Sequence, residues 1–151
     1  MRERMLNINE VEVSSSPVVY TCYGLGSCIG LFVTDPLKKL SGGAHIPLPG
    51  PSSAGNFQGA SSMIEELLNT FTKLGSDMNC LRAKITGGSR VYESSPLIGE
   101  QNTHAVLQHL IDRRIFIAAT DVGGRVSRTV RFNSVTQELR ISTSEQKMYC
   151  I

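Results

Sequence analysis

The sequence carries no strong charge of either sign. Fifteen Lys and Arg stand against 13 Asp and Glu in 151 residues, a formal net charge of +2. No long basic run breaks that balance, so binding to nucleic acid or to an acidic membrane surface has little support. An unbroken apolar segment is also lacking. A long uncharged stretch, residues 13–34, is interrupted by Ser14, Ser15, Ser16, Pro17 and four further Gly or Ser residues, and fails as a membrane span. The opening MRERMLNINEVEV mixes both charges before any apolar run develops, unlike a secretion signal. Cysteine is sparse, at positions 22, 28, 80 and 150, with a spacing that fits neither a zinc knuckle nor a dense disulfide framework. These absences favour a cytoplasmic protein with free thiols.

What is present is enough to build a core. Apolar residues make up 40% of the chain, and the length suits a single domain over residues 1–151. Strand signals come first, over residues 5–13, 18–23, 29–34 and 40–48. A Pro- and Gly-rich loop follows from Pro47 to about Gly55. Phe57, Ala60, Ile64, Leu67, Leu68, Phe71 and Leu74 then recur at helical spacing, with Gly75 as the stop. Residues 81–86 alternate as a half-buried strand, and residues 98–113 read as a second helix with Val106, Leu107, Leu110 and Ile111 on its apolar face. Ile115 to Ala119 reads as a buried strand. A hairpin over residues 126–142 turns at 133–137, and the chain is expected to fray from Ser144. The fold class is α+β: two main helices cover mixed or antiparallel sheets, and a one-sheet or a two-sheet arrangement both fit the pattern.

The segment from Gly24 to His45 is the chemically loaded one. Cys28 follows a Gly-rich turn, Gly24-Leu25-Gly26-Ser27, and His45 stands at the far end of the next strand pair. A cysteine nucleophile needs a thiolate, so its pKa is expected to fall below the free value of about 8.5. It needs an imidazole within reach to move protons, and backbone N–H groups aimed at the developing oxyanion, which the turn at Gly26 and Ser27 can supply. Spacing alone is a weak signal, because a strand cysteine is commonly a small hydrophobe and a lone His commonly structural. Cys22 and Cys80 read as packed core thiols and Cys150 as an exposed one. His104 and His109 are five apart on the second helix, which does not bring them onto one face to share a metal. Gly87, Gly88 and Ser89 read either as lining a substrate cleft or as a strand-end turn.

The strings GLGSCIGLFVTDPLKK and GGAHIPLP, followed by AKITGGSRVYESSPLIGEQN and DVGGRVSRTVRFNSVTQELRI, resemble the CheD family, the chemoreceptor glutamine deamidases of bacterial chemotaxis. The resemblance runs over nearly the whole chain. It implies hydrolysis of particular glutamine side-chain amides on chemoreceptors to glutamate and ammonia. Cys28 matches the family's nucleophile and His45 its general acid/base, and no metal or organic cofactor is implied. The family places a Thr six residues before the nucleophile as a third catalytic member. Here that position holds Cys22, with Thr21 one residue further back. A bulge could return Thr21 to the site, Cys22 could take the place, or another group could do so. The implied partners are chemoreceptor cytoplasmic domains. The alternative the family offers is a binding module that stimulates a CheC-type phosphatase of the phosphorylated response regulator CheY.

Overall fold

The structure, a computed structural model, describes residues 1–50, 57–92 and 97–151. Part of the loop expected from Pro47 to about Gly55 therefore lies outside the described residues. The elements are β1 (Arg2–Met5), β2 (Val11–Ser14), β3 (Val18–Leu25), β4 (Ile29–Asp35), β5 (Leu40–Ile46), α1 (Ala60–Lys73), β6 (Arg82–Gly87), α2 (Ile98–Asp112), β7 (Phe116–Val122), β8 (Arg128–Asn133), β9 (Leu139–Thr143) and β10 (Met148–Cys150). The strands form two five-stranded mixed sheets, ordered β1-β3-β8-β9-β10 and β2-β5-β4-β6-β7. The fold is α+β, and of the two arrangements left open by the pattern it adopts the two-sheet one.

Side-chain alternation assigns three layers. Ile29, Leu31 and Val33 of β4, Ala44 and Ile46 of β5, and Ala83 and Ile85 of β6 face the two helices. They meet Met63, Ile64, Leu67, Leu68 and Phe71 of α1 and Val106 and Leu110 of α2. The opposite face of that sheet, at Phe32, meets Val18, Tyr20, Cys22, Val130, Phe132, Leu139 and Ile141 of the other sheet. Strand β4 is covered on both faces, and all seven of its residues are buried, which is why it reads as one apolar run. The stripe of α1 covers β2 and β5, where Gly42 allows close contact: a Cβ there would stand 2.8 Å from Leu67 Cδ1 and 2.9 Å from the Glu12 carbonyl.

Four local expectations are corrected. The strand expected over residues 5–13 is two strands in different sheets, because the chain turns at Asn9 in the left-handed region, φ 76°. The strand from Ile115 is not buried: β7 is an edge strand parallel to β6, with Phe116 56% exposed beneath the Arg82 guanidinium. The end of the chain does not fray. It turns at Gln146 and adds β10 to β9, and Ile151 exchanges backbone hydrogen bonds with Leu139. Cys80 is half-buried in a short 3-10 turn, Met78–Cys80, rather than in the core.

Candidate active site

Strand β3 carries a bulge between Cys22 and Leu25, with Gly24 at φ 59°. The chain then turns through Gly26 and Ser27 to Cys28 before β4 begins. Cys28 is half-buried and packs against the core between the sheets. His45 lies in register with Gly30 of β4. Its neighbours Ala44 and Ile46 face the helices, so its ring faces the other sheet. Cys28 and His45 thereby border the same end of the inter-sheet layer. They line one cavity of about 230 Å³ with Met5, Leu6, Asn7, Ile8, Tyr23 and Gly24.

The turn between β1 and β2 fixes His45. Its main chain donates to the Glu10 carbonyl at 3.1 Å and accepts from the Asn9 N–H at 2.8 Å. Its Nδ1 lies 2.9 Å from the Leu6 carbonyl oxygen. A carbonyl only accepts, so Nδ1 carries the proton and Nε2 keeps its lone pair. Burial is the main influence on the ring and lowers its pKa, against opposing contributions from the Leu6 hydrogen bond and Glu10. Burial also pushes the Cys28 thiol above its ordinary value. The fall expected for a ready-made thiolate is therefore not what this environment produces. Both shifts favour the uncharged forms of the two groups that border this cavity.

Cys28 also borders a second cavity, of about 520 Å³, lined by Gly26, Ser27, Ser89, Val91, Tyr92 and Gly99 among others. The carbonyls of the turn are all occupied. That of Gly26 accepts from Ser89 N–H at 2.8 Å and Ser89 Oγ at 3.0 Å, that of Ser27 from Asn102 Nδ2 at 2.8 Å, and that of Cys28 from Gly88 N–H at 2.9 Å. The N–H groups of Gly26, Ser27 and Cys28 donate to no acceptor among the described residues. They remain available as oxyanion donors. Of the three candidates for a cleft wall, Ser89 borders the cavity while Gly87 and Gly88 stand behind the turn. A Cβ on Gly87 would come within 2.2 Å of the Cys28 carbonyl oxygen, and one on Gly88 within 2.1 Å of Thr103 Oγ1.

Thr21 is not brought to Cys28 and His45. The bulge falls after it, and Thr21 stays in register between Met5 of β1 and Arg131 of β8 on the face of the sheet opposite Tyr20 and Cys22. Cys22 is on the site-facing side, fully buried, its pKa pushed up to about 12 first by burial and then by Cys28. Two groups at the site have no role in the sequence reading, the Leu6 carbonyl and Asn102, the latter entering it only as the last residue of the Ile-Gly-x-x-Asn match. The second had a signal: Gly99, Asn102, Val106 and Leu110 form the buried stripe of α2, and an amide in such a stripe needs partners.

Elsewhere among the described residues the polar groups are largely engaged. A cavity of about 440 Å³ at the opposite end of the sandwich borders Asp35. That carboxylate is already engaged by the Leu37 and Lys38 N–H groups and Ser76 Oγ. Among the described residues no group of three His, Cys, Asp or Glu could hold a metal, and no helix is long and apolar enough to cross a membrane.

The class is that of a two-sheet α+β fold in which a cysteine and a histidine share one cavity. Comparison with known proteins narrows it. A family model described as CheD chemotactic sensory transduction matches residues 48–143, a span that begins just after His45. The chemoreceptor glutamine deamidase CheD of Thermotoga maritima is 34% identical over 142 residues, covering 92% of this chain and 90% of that protein. The protein of the same name from Halalkalibacterium halodurans is 34% identical over 148 residues, 91% of each chain. A probable chemoreceptor glutamine deamidase CheD of Methanosarcina acetivorans is 36% identical over 137 residues, 88% of this chain, which spans only 62% of that longer relative. The chain belongs to the CheD family.

Proposed function

We propose that this protein hydrolyses glutamine side-chain amides of chemoreceptors to glutamate, with Cys28 as nucleophile and His45 as general acid/base. The observation that carries the mechanism is the shared cavity, in which the Leu6 carbonyl holds His45 with Nε2 as its free proton acceptor. The substrate class rests on the names of the relatives.

The chemistry follows from the uncharged forms of the two groups. His45 Nε2 takes the Cys28 proton as sulfur attacks the carboxamide carbon, so the thiolate exists only as the C–S bond forms. The oxyanion faces the unpaired N–H groups of the turn. His45 returns the proton to the amide nitrogen, the C–N bond breaks and ammonia leaves. Water then gives a proton to Nε2 and attacks the thioester. The C–S bond breaks, the proton passes back to sulfur, and glutamate is released. The two cavities suit a division of labour. The larger, bordered by the oxyanion donors, admits the glutamine, and the smaller, bordered by His45, takes the leaving ammonia and the incoming water.

The test is mass spectrometry of a purified chemoreceptor cytoplasmic fragment incubated with the protein, with Cys28→Ala and His45→Ala as controls. Conversion of glutamine to glutamate at defined positions, lost in both variants, is the expected outcome. Conversion that persists in Cys28→Ala overturns the mechanism. No conversion on several receptors favours the family's other role, binding of a CheC-type phosphatase, for which Cys22 in place of the family's Thr is the relevant observation.

A further inference from the structure

The geometry points to Asn102 as a positioning residue that holds the nucleophile turn and the strand of the base at a fixed separation. This rests on the Cys28–His45 reading above. The β4–β5 ladder ends at the pair Ile29 and Ile46. Beyond it the two strands continue as Ser27-Cys28 and Pro47, and Pro47 has no N–H to extend the ladder. What the two segments turn toward α2 instead is a pair of carbonyls, those of Ser27 and Pro47, and two acceptors cannot bond to each other. Asn102 comes between them. Its Nδ2 donates to the Ser27 oxygen at 2.8 Å and to the Pro47 oxygen at 3.1 Å.

The identity of both partners fixes the amide orientation, since only the NH₂ end can face two carbonyls. One bond reaches the residue before Cys28, and the other reaches the second residue after His45. The side chain is fully buried, and its Oδ1 has no partner among the described residues. An apolar residue would fill the same space without leaving an acceptor unpaired, so packing alone does not explain the amide. A two-donor clasp does. Its base is rigid as well: Gly99, one turn earlier on α2, packs so closely that a Cβ there would come within 2.5 Å of the Ser89 carbonyl oxygen.

The test is a double-mutant cycle on the reactivity of Cys28 toward iodoacetamide, followed on the Cys28 peptide by mass spectrometry at neutral pH. Asn102→Asp keeps the shape and loses the donors, and Asn102→Ser keeps one donor. Thermal melting identifies the variant that remains folded. In the otherwise native chain, His45→Ala is expected to slow alkylation at least about tenfold, as removal of a general base does. In either Asn102 background it is expected to slow it less than about twofold, because the turn of Cys28 and the strand of His45 are no longer tied at one spacing. A residue that merely stabilises the fold would lower the melting temperature and leave the effect of His45→Ala unchanged. An equal slowing in both backgrounds, or none in the native chain, overturns the proposal. The readout needs no receptor, so a failure to deamidate glutamine refutes the substrate reading while leaving the cycle to decide on Asn102.

Discussion

Burial moves Cys28 and His45 in opposite directions, and both shifts favour the uncharged form. The thiol is harder to ionise and the ring harder to protonate. A preformed thiolate–imidazolium pair would show the reverse. The consequence is visible in the pH dependence of Cys28 alkylation. The rate is expected to keep climbing beyond the ordinary thiol value of about 8.5 rather than level off below it. His45→Ala is expected to depress the rate at neutral pH and to leave the alkaline plateau intact, because a thiolate already formed needs no base. A plateau reached near pH 6 to 7 would sink this reading. Leu6 contributes through its main chain alone, so its side chain can be exchanged for another apolar one without disturbing the tautomer of His45.

Helix α1 sits where it does because β5 offers it a surface without side chains at Gly42, a position pressed by Leu67, Phe71 and the Glu12 carbonyl. Gly42→Ala is expected to destabilise by about 1–3 kcal/mol, the usual cost of forcing a methyl group into a packed interior. Urea unfolding measures it, and an unchanged midpoint would mean that the contact yields freely. The same element shows what the sequence made legible. The stripe from Ala60 to Phe71 identified α1 because burial on one side imposes the helical period, and the unbroken run of β4 reflected cover on both faces. Cys28 and His45 stand out as candidates because side-chain chemistry is written in residue type. The split of β1 from β2 could not, since the turn depends on Asn9 adopting a left-handed conformation without a Gly or Pro to mark it. The return of β10 was hidden in a polar segment indistinguishable by composition from a frayed tail. The Leu6 carbonyl is invisible to sequence, as every residue has one. Asn102 is an intermediate case, an amide inside an apolar stripe whose two partners only the fold brings together.

At the scale of the molecule, the layer between the two sheets holds four groups whose ionisation burial suppresses. Tyr20 is pushed up to about 12, its hydroxyl donating to the Ser41 carbonyl at 3.1 Å, and Cys22 is pushed up to about 12 as well. Cys28 is shifted in the same direction and His45 is lowered. For the three acids, the unfolded chain releases protons that the folded chain retains. Their stabilisation is full below the ordinary thiol value of about 8.5 and is lost as pH rises toward 12. For His45 the unfolded chain binds a proton that the folded chain refuses, so stability falls as pH drops below 6.5. Urea midpoints are therefore expected to be flat between about pH 6.5 and 8.5 and to decline on both sides. Cys22→Val removes one of the alkaline contributors while keeping the site apolar beside Val18, Leu25 and Val130. Its midpoint is expected to fall less steeply above about pH 8.5 than that of the native chain, with the acid limb unchanged. Parallel alkaline limbs for the two proteins would show that the buried thiol of Cys22 does not contribute to the pH dependence, and would return the alkaline loss to Tyr20 and Cys28.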